Sequence, residues 1–371
     1  MKFTINAKTF ANALGQQLRV INAKNALSIL DMFKIEAVGT DYLIITASDS
    51  EITSHITIEA NVQESGTLCI NARDLADIVR KLGDKQIEVD ADEVTNQFEI
   101  KCGKGVYKLS CYPAVEYPQR ALPQEGYFTM PTEAIINGFN ATRNAVSSDI
   151  IRPVMTGVLM NILDTEAGGG IDFVASDTHQ LVRCHIDETP QGVEPKGVII
   201  PAKTANLFLT TFAKYPEVRI AISERNITFQ AEDSVLSSTL IMGNFPNYNR
   251  VIPETSPYSL KVNRKEMLDV INRVSSLASK QTNLLSLEDT GMMELKIASR
   301  DIDYNQGAED YVMADGNFER KVIGVNSEYF TRVINIFGED EITLLLTDPA
   351  RPIVISEGGV TALVMPIQVI E

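Results

Sequence analysis

The sequence predicts an α+β protein made of three consecutive repeats, each with two helices on antiparallel sheets. Three observations carry this. One helix-forming segment recurs three times in the same register, a second helix also recurs three times, and both alternate with short strand-like runs.

The first segment begins Ile70-Asn71-Ala72-Arg73 and places Leu75, Ile78, Val79 and Leu82 at i, i+3, i+4 and i+7. Ile200-Pro201-Ala202-Lys203 leads into Ala205, Phe208, Leu209 and Phe212 with that spacing. Val325-Asn326-Ser327-Glu328 leads into Phe330, Val333, Ile334 and Phe337. Each is the buried stripe of an amphipathic helix. The second helix carries Phe10, Ala13 and Leu14, then Ile135, Gly138 and Phe139, then Met267, Val270 and Ile271, each after a short strand. A third element aligns Ala47-Ser48-Asp49-Ser50 with Ala175-Ser176-Asp177-Thr178 and with Ala298-Ser299-Arg300. Proline-bearing stretches, Tyr112-Pro113 to Leu122-Pro123 and Phe245-Pro246 to Ile252-Pro253, close the first two repeats. The domains are therefore placed at 1–124, 125–254 and 255–371.

Within the first repeat, strands are expected at Lys34–Val38, Tyr42–Ser48, Ile52–Ala60, Gln86–Asp90, Phe98–Cys102 and Val106–Tyr112. The chain of 371 residues exceeds one ordinary domain, and 44% apolar residues exclude wholesale disorder. No apolar run is long enough to cross a membrane. The opening Met1-Lys2-Phe3-Thr4 has no apolar h-region, so a cytoplasmic location is expected. Cys69, Cys102, Cys111 and Cys184 form no C-x-x-C pair and read as reduced, mostly buried thiols.

The formal net charge of −16 argues at first against nucleic acid. Its distribution argues otherwise. The windows around the six recurring helices hold 15 basic and 8 acidic residues, and the remainder holds 18 and 41. If those helices share one face, that face is positive inside an acidic shell and can track phosphates without reading bases.

The sequence shows no catalytic constellation, and neither a metal site nor a cofactor is expected. Gly103-Lys104-Gly105 lacks phosphate-loop spacing and reads as a hairpin turn. Gly168-Gly169-Gly170 reads as a loop. His179 and His185 have no zinc-motif glutamate. Asp49 and Asp177 are repeat equivalents and read as turn chemistry, not as an acid pair.

Taken together, the repeats and four motifs resemble the bacterial DNA polymerase III β subunit family, the sliding clamps, over the full length. The motifs are Met1-Lys2-Phe3-Thr4, Ala175-Ser176-Asp177-Thr178-His179-Gln180-Leu181, Gly243-Asn244-Phe245-Pro246-Asn247-Tyr248-Asn249-Arg250-Val251-Ile252-Pro253, and Val364-Met365-Pro366-Ile367. The resemblance implies a DNA-clamp fold, three domains per chain, and a head-to-tail homodimer closing a six-domain ring on duplex DNA. Twelve helices at interaxial distances of roughly 8–10 Å would line a circle about 30–38 Å across. It implies a processivity factor with no catalysis of its own. Its partners would be double-stranded DNA, the DNA polymerase III catalytic subunit, a clamp-loader ATPase and other clamp-motif replication and repair proteins; none is a membrane.

Carried over by motif, the partner-peptide groove is expected at Met155, Ser176, Thr178, His179, Leu181, Pro246, Arg250, Val251, Leu363, Met365, Pro366 and Ile367. DNA contacts are expected from Lys24, Arg73, Arg80, Lys81, Arg143, Arg152, Lys203 and Arg273. The dimer seam is expected to join an edge at Val106–Tyr112 to the segment around Glu294–Asp303, with Tyr107 and Leu109 near Leu277. The family often has Gly-His-Arg where this chain has Thr178-His179-Gln180, and paired tyrosines where it has Pro153-Val154. Two competing readings are a carboxylate hydrolase, for which no motif exists, and a repeat-built protein scaffold that never meets DNA.

Overall fold

The computed structural model describes residues 1–371 apart from 93, 119, 165–167, 370 and 371. The first repeat runs β1 (Lys2–Asn6), α1 (Ala7–Leu18), β2 (Met32–Val38), β3 (Tyr42–Ser48), β4 (Ile52–Glu59), β5 (Asn61–Glu64), β6 (Gly66–Asn71), α2 (Ala72–Leu82), β7 (Gln86–Asp92), β8 (Gln97–Cys102) and β9 (Gly105–Pro113). The second runs β10 (Tyr127–Pro131), α3 (Thr132–Thr142), β11 (Gly157–Ile162), β12 (Ile171–Ser176), β13 (Gln180–Ile186), β14 (Lys196–Pro201), α4 (Ala202–Thr211), β15 (Glu217–Ile222), β16 (Asn226–Ala231) and β17 (Ser234–Thr239). The third runs β18 (Tyr258–Asn263), α5 (Arg264–Ser275), β19 (Leu284–Asp289), β20 (Glu294–Asp301), β21 (Gln306–Asn317), β22 (Val322–Asn326), α6 (Ser327–Ile334), β23 (Glu341–Leu346), β24 (Ile353–Glu357) and β25 (Val360–Val364).

All six helices lie where the apolar stripes place them. Asparagine caps four: Asn6, Asn71, Asn263 and Asn326 each accept backbone N–H bonds from the first helical turn. Such a cap stabilises a helix end by about 1 kcal/mol. In the central repeat, Pro131 and Pro201 stand at these strand–helix junctions instead. Helix α6 stops at Ile334, before the expected Phe337. Tighter i→i+3 bonds, Ile336 N to Val333 O (3.2 Å) and Phe337 N to Ile334 O (3.3 Å), carry the coil on, so Phe337 is still buried. The unexpected strand β5 pairs with Lys2–Thr4 of β1 and covers an edge that would otherwise be open.

The helices press aromatic and aliphatic side chains onto one face of the sheets. Phe10 meets Phe3 edge-on at 6.1 Å, and Phe139 meets Phe173 at 5.3 Å. Gly138 has a packing reason: a Cβ there would stand 2.3 Å from the Phe173 ring.

The chain forms two compact units. One comprises 1–136, 190–193 and 203–240; the other comprises 137–189, 194–202 and 241–371. Each carries one continuous antiparallel ladder. The first has the order β10-β15-β16-β17-β4-β3-β2-β6-β9-β8-β7-β1-β5, and the second β14-β11-β12-β13-β25-β24-β23-β18-β21-β20-β19-β22. Each ladder therefore crosses a repeat boundary by one strand pair.

Those two seams are the same. In β4·β17, Ile52 pairs with Ser238 and Ile56 with Ser234. In β13·β25, Gln180 pairs with Val364 and Cys184 with Val360. The turn before each first strand adds one more bond: Glu51 O accepts from Thr239 N (2.9 Å), and His179 O from Met365 N (2.8 Å).

The Asp-bearing turns behave as turn chemistry. Asp49 Oδ1 accepts from Glu51 N and Ile52 N, and Asp177 Oδ1 from His179 N and Gln180 N. In the third repeat this role falls to Asp301, whose Oδ1 accepts from Asp303 N and Tyr304 N. The equivalent of Ala47-Ser48-Asp49 is thus Ser299-Arg300-Asp301, one residue later than the Ala298-Ser299-Arg300 alignment. The buried face of β20, with Leu295, Ile297 and Ser299, sets this phase.

Among the described residues no helix is long and apolar enough to cross a membrane. Cys69, Cys111 and Cys184 are buried thiols and Cys102 is half-buried. His55 on β4 lies 2.8 Å from Thr46 Oγ1, and its pKa is lowered below the usual histidine value. Burial is the main cause; Glu36 pulls it up and Lys34 pushes it down. A histidine held neutral in the fold contributes stability above its unfolded pKa, about 6.5, that is lost as pH falls through the lower folded value. Denaturant titrations at pH 7 and pH 5 should therefore show a larger acid loss for the parent protein than for His55→Gln.

Candidate functional site: an apolar groove along a strand seam

The β13·β25 seam has two faces. One packs under the helices. On the other, a half-solvated sheet would present polar side chains. Here the opposite face is apolar across six strands: Ile199, Leu159, Val174, Leu181, Leu363 and Val354 form one buried cluster with Tyr248. Val154, Ile241, Phe245, Ile252, Leu345 and Met365 pack against it while partly exposed, so the apolar strip, the candidate groove, is only partly covered.

The groove has a polar anchor. Asp172 on β12 is almost wholly buried, at 2% exposure. Its Oδ2 accepts from the Tyr248 hydroxyl at 2.7 Å, and Asn161 Nδ2 donates to that hydroxyl oxygen at 3.1 Å. Its Oδ1 lies 2.8 Å from His185 Nδ1. Arg183 Nε stands 3.1 Å from Oδ2, an ion pair rather than an aligned hydrogen bond. Burial first, and then the Asp172 carboxylate, push the Tyr248 phenol up to about 12, so it stays a proton donor. This bond fixes the 245–252 segment, one wall of the groove, to the sheet.

The expected groove residues divide by position. Leu181 and Leu363 belong to the cluster and Met365 packs against it. Ser176 is buried; its hydroxyl donates to Gln180 O (2.7 Å) and accepts from Thr178 N (3.2 Å). Met155 is buried at 7% exposure, outside that cluster. Thr178, His179, Pro246, Arg250 and Val251 are exposed on the turns that flank the groove. Pro366 and Ile367 are half-buried, and Ile367 bridges to Gly324. His179 stacks on Tyr329 at 5.2 Å and 15°. Gln180 turns inward, donating to Asp177 Oδ2 at 2.9 Å, so it braces the turn rather than facing solvent.

Sequence reasoning did not single out Leu159, Val174, Ile199, Tyr248 or Val354. The signal was available in Val158-Leu159-Met160 and Phe173-Val174-Ala175, strands apolar on both faces, which must be covered on both.

Of the basic residues, Lys24 and Arg73 are exposed, and neither has an ion pair among the described residues; Arg73 donates to Asn22 O (2.9 Å). Arg80 and Lys81 share Asp77, Arg152 pairs with Asp149, and Arg273 pairs with Asp310, all at exposed positions where such pairs contribute little. Arg143 is half-buried. Lys203 differs from the expected phosphate contact. Its ammonium reaches Val20 O (2.5 Å), Asn22 Oδ1 (2.7 Å) and Asp49 Oδ2 (2.5 Å), and so ties the start of α4 to the loop after α1.

The seam expectation is corrected in one respect. Strand β20 lies between β19 and β21, so the segment around Glu294–Asp303 is mostly interior. Next to it β21 has an unpaired stretch: among the described residues its Gln306–Met313 stretch pairs only with β20, and β18 takes up Ala314–Asn317. Strand β9 has the same character. Among the described residues Gly105–Ser110 pairs only with β8, while β6 takes up Cys111–Pro113. Tyr107 and Leu109 pair with Ile100 and Phe98, which are fully buried, yet Tyr107 is 36% exposed. Leu277 follows α5 and is 37% exposed.

Three copies of a two-helix domain with eight or nine strands, joined edge to edge with an apolar groove on one seam, define a sliding-clamp fold. The chain belongs to the DNA polymerase III beta subunit family: residues 1–123 match its N-terminal domain, 129–247 its central domain and 249–368 its C-terminal domain. The Beta sliding clamp of Bacillus subtilis is 28% identical, with 99% of this chain and all of that protein covered. The Staphylococcus aureus Mu50 Beta sliding clamp is 27% identical, with 99% of each covered. A solved sliding clamp from Bartonella birtlesii, bound to griselimycin, superposes with a TM-score of 0.93 at 28% identity over 100% of both chains.

Two outcomes follow for the site. Thr178 adopts φ 81°, a left-handed value that is costly for a β-branched residue. Thr178→Gly should raise unfolding stability by roughly 0.5–1.5 kcal/mol in chemical denaturation. Tyr248→Phe removes a hydrogen bond to a buried carboxylate and should lower it by about 1.5–3 kcal/mol.

Proposed function

We propose that two copies of this chain close head to tail into a six-domain ring that encircles duplex DNA without sequence preference and tethers the DNA polymerase III catalytic subunit. The ring carries no catalytic centre. A clamp-loader ATPase opens it, and other replication and repair proteins compete for the same groove.

The carrying observation is the repeated seam. In both internal seams the strand after the Asp turn pairs with the last strand of the next repeat, β4 with β17 and β13 with β25. That rule leaves β21 and β9 as the two unused members. Continuing the register pairs Ala308 of one copy with Tyr107 of the partner subunit, and Gln306 with Leu109 of the partner subunit. Both pairs sit on the core-side face, which supports the match. Such a contact closes after two copies and pairs both of these unpaired stretches.

Duplex DNA is held by topology, with Lys24, Arg73, Arg80, Lys81, Arg143, Arg152 and Arg273 supplying weak, salt-dependent phosphate contacts. Lys203 holds the scaffold instead. Short partner peptides enter the groove over Leu181, Leu363 and Met365, between Thr178–His179 and Pro246–Val251, with Pro366 and Ile367 at one end. Met365 and Phe245 give an adaptable apolar lining. Tethering raises the polymerase's local concentration at the primer end.

Light scattering at micromolar protein should give a mass near twice the 40.9 kDa of one chain, and Tyr107→Asp should give the single-chain mass. Replacing Lys24, Arg73 and Arg80 together with alanine should leave that mass unchanged and weaken loader-dependent retention on circular DNA. Unchanged retention would favour the scaffold that never meets DNA. His179→Ala with Met365→Ala should cost a polymerase-derived peptide about tenfold in affinity or more, read by fluorescence anisotropy.

A further inference from the structure

The three Asp turns differ in length. Two residues, Ser50-Glu51, separate Asp49 from Ile52, and two, Thr178-His179, separate Asp177 from Gln180. In the third repeat four residues, Ile302-Asp303-Tyr304-Asn305, separate Asp301 from its partner Gln306. The added length carries two large apolar side chains into solvent: Ile302 is 74% exposed and Tyr304 79% exposed. The turn is nonetheless well defined. Asp301 Oδ1 holds Asp303 N at 3.1 Å and Tyr304 N at 3.3 Å, and Asn305 N returns to Ile302 O at 3.3 Å with Asn305 at φ 50°.

A defined turn with exposed Ile and Tyr, at the end of an unpaired edge, calls for a cover. The other two turns indicate where to look for it. Each donates nothing to its own repeat's core. Each instead lies beside the strand end of the next repeat, where Glu51 O takes Thr239 N and His179 O takes Met365 N. In the continued register, the equivalent carbonyl of the third turn meets Ser110 of the partner subunit. The two added residues then reach beyond it, along the stretch from Cys111 to Val115 of the partner subunit. In the first repeat that stretch exposes two large apolar side chains beside the buried Cys111: Tyr112 is 46% exposed and Val115 90% exposed. Strand β6 occupies the backbone edge of Cys111–Pro113. The long turn therefore cannot extend the ladder there; it can only contribute side chains.

We propose that the Ile302–Asn305 turn is an arm that docks on a second copy of this chain, packing Ile302 and Tyr304 against Tyr112 and Val115 of the partner subunit and so slowing opening of the seam. The occupant is a second copy because the exposed patch is continuous with both unpaired edges and because exposed apolar residues, Tyr112 and Val115, lie just beyond the last registered pair. The inference rests on the head-to-tail dimer reading.

The test compares three proteins by subunit exchange between differently labelled dimers and by sedimentation velocity across concentration. They are the parent chain, the arm variant Ile302→Ser/Tyr304→Ser, and the cradle variant Tyr112→Ser/Val115→Ser. All four positions are solvent-exposed or half-exposed, and matching circular dichroism and melting profiles establish that the variants fold. The arm variant should still dimerise and should exchange about 10- to 100-fold faster than the parent. The cradle variant should match it, and combining the two should add little, since both remove the same contact. An arm variant that exchanges at the parent rate overturns the arm while leaving the dimer reading intact. So does full additivity of the two variants. A parent chain that stays single at tens of micromolar overturns the dimer reading itself, and the arm with it.

Discussion

The repeat seam is the constraint on which the rest of this molecule depends. A β-strand edge presents unpaired N–H and C=O groups, and leaving them bare invites indiscriminate pairing. At two boundaries the chain satisfies such edges by lending the last strand of one repeat to the fourth-strand position of the repeat before it. Because β4·β17 and β13·β25 share one register, the same backbone geometry is used twice within the chain. Strands β9 and β21 are what such a rule leaves over. Tyr107, Leu109 and Ala308 lie on the core-side face of these strands, each with a paired strand on one side alone among the described residues.

The groove is a by-product of the same seam. Crossing from β13 to β25 brings Leu181 beside Leu363, and those two residues join the apolar outer faces of two repeats into one strip. The strip is then walled by the 245–252 segment, which the buried Asp172–Tyr248 bond fastens to β12. Burying an ionised carboxylate costs free energy unless it is well partnered. Asp172 is surrounded by a phenol, an imidazole and a guanidinium, which offsets that cost and makes the wall position specific. The Asp turns complete the arrangement, because their carbonyl oxygens extend each seam by one bond and set where Thr178 and His179 stand.

The charge pattern acquires a physical reading from the same elements. Excess positive charge on the helix windows coexists with surface ion pairs such as Arg80–Asp77 and Arg273–Asp310. These exposed pairs are weak and screened, so they tune the field rather than cancel it. Lys203 shows the opposite case. Three oxygen acceptors enclose its ammonium, and the same residue type at an equivalent-looking position becomes a structural tie.

Much of this was legible in the sequence. Helical periodicity located all six helices, because the buried stripe of an amphipathic helix is a local pattern with a fixed period. The Ser-Asp turns and the Gly103–Lys104 hairpin were equally readable, since a turn's chemistry lies within four residues. Motifs pointed to Leu181, Leu363 and Met365, which the structure brings together on one apolar strip. What the sequence did not determine depends on pairing between distant strands. Nothing local to β21 says that its Gln306–Met313 stretch, rather than β20, is left unpaired, and nothing local to Lys203 says that Asp49 and Asn22 wait beside it. The extra strand β5, the one-residue phase of Ser299-Arg300-Asp301, and the wall bond from Tyr248 to Asp172 share that origin. Sequence alone determined the repeats, their helices and their turns, because those follow from short-range periodicity and backbone preference. Tertiary structure decided the edges, the groove and the fate of individual charges, because each is set by which strand lies next to which.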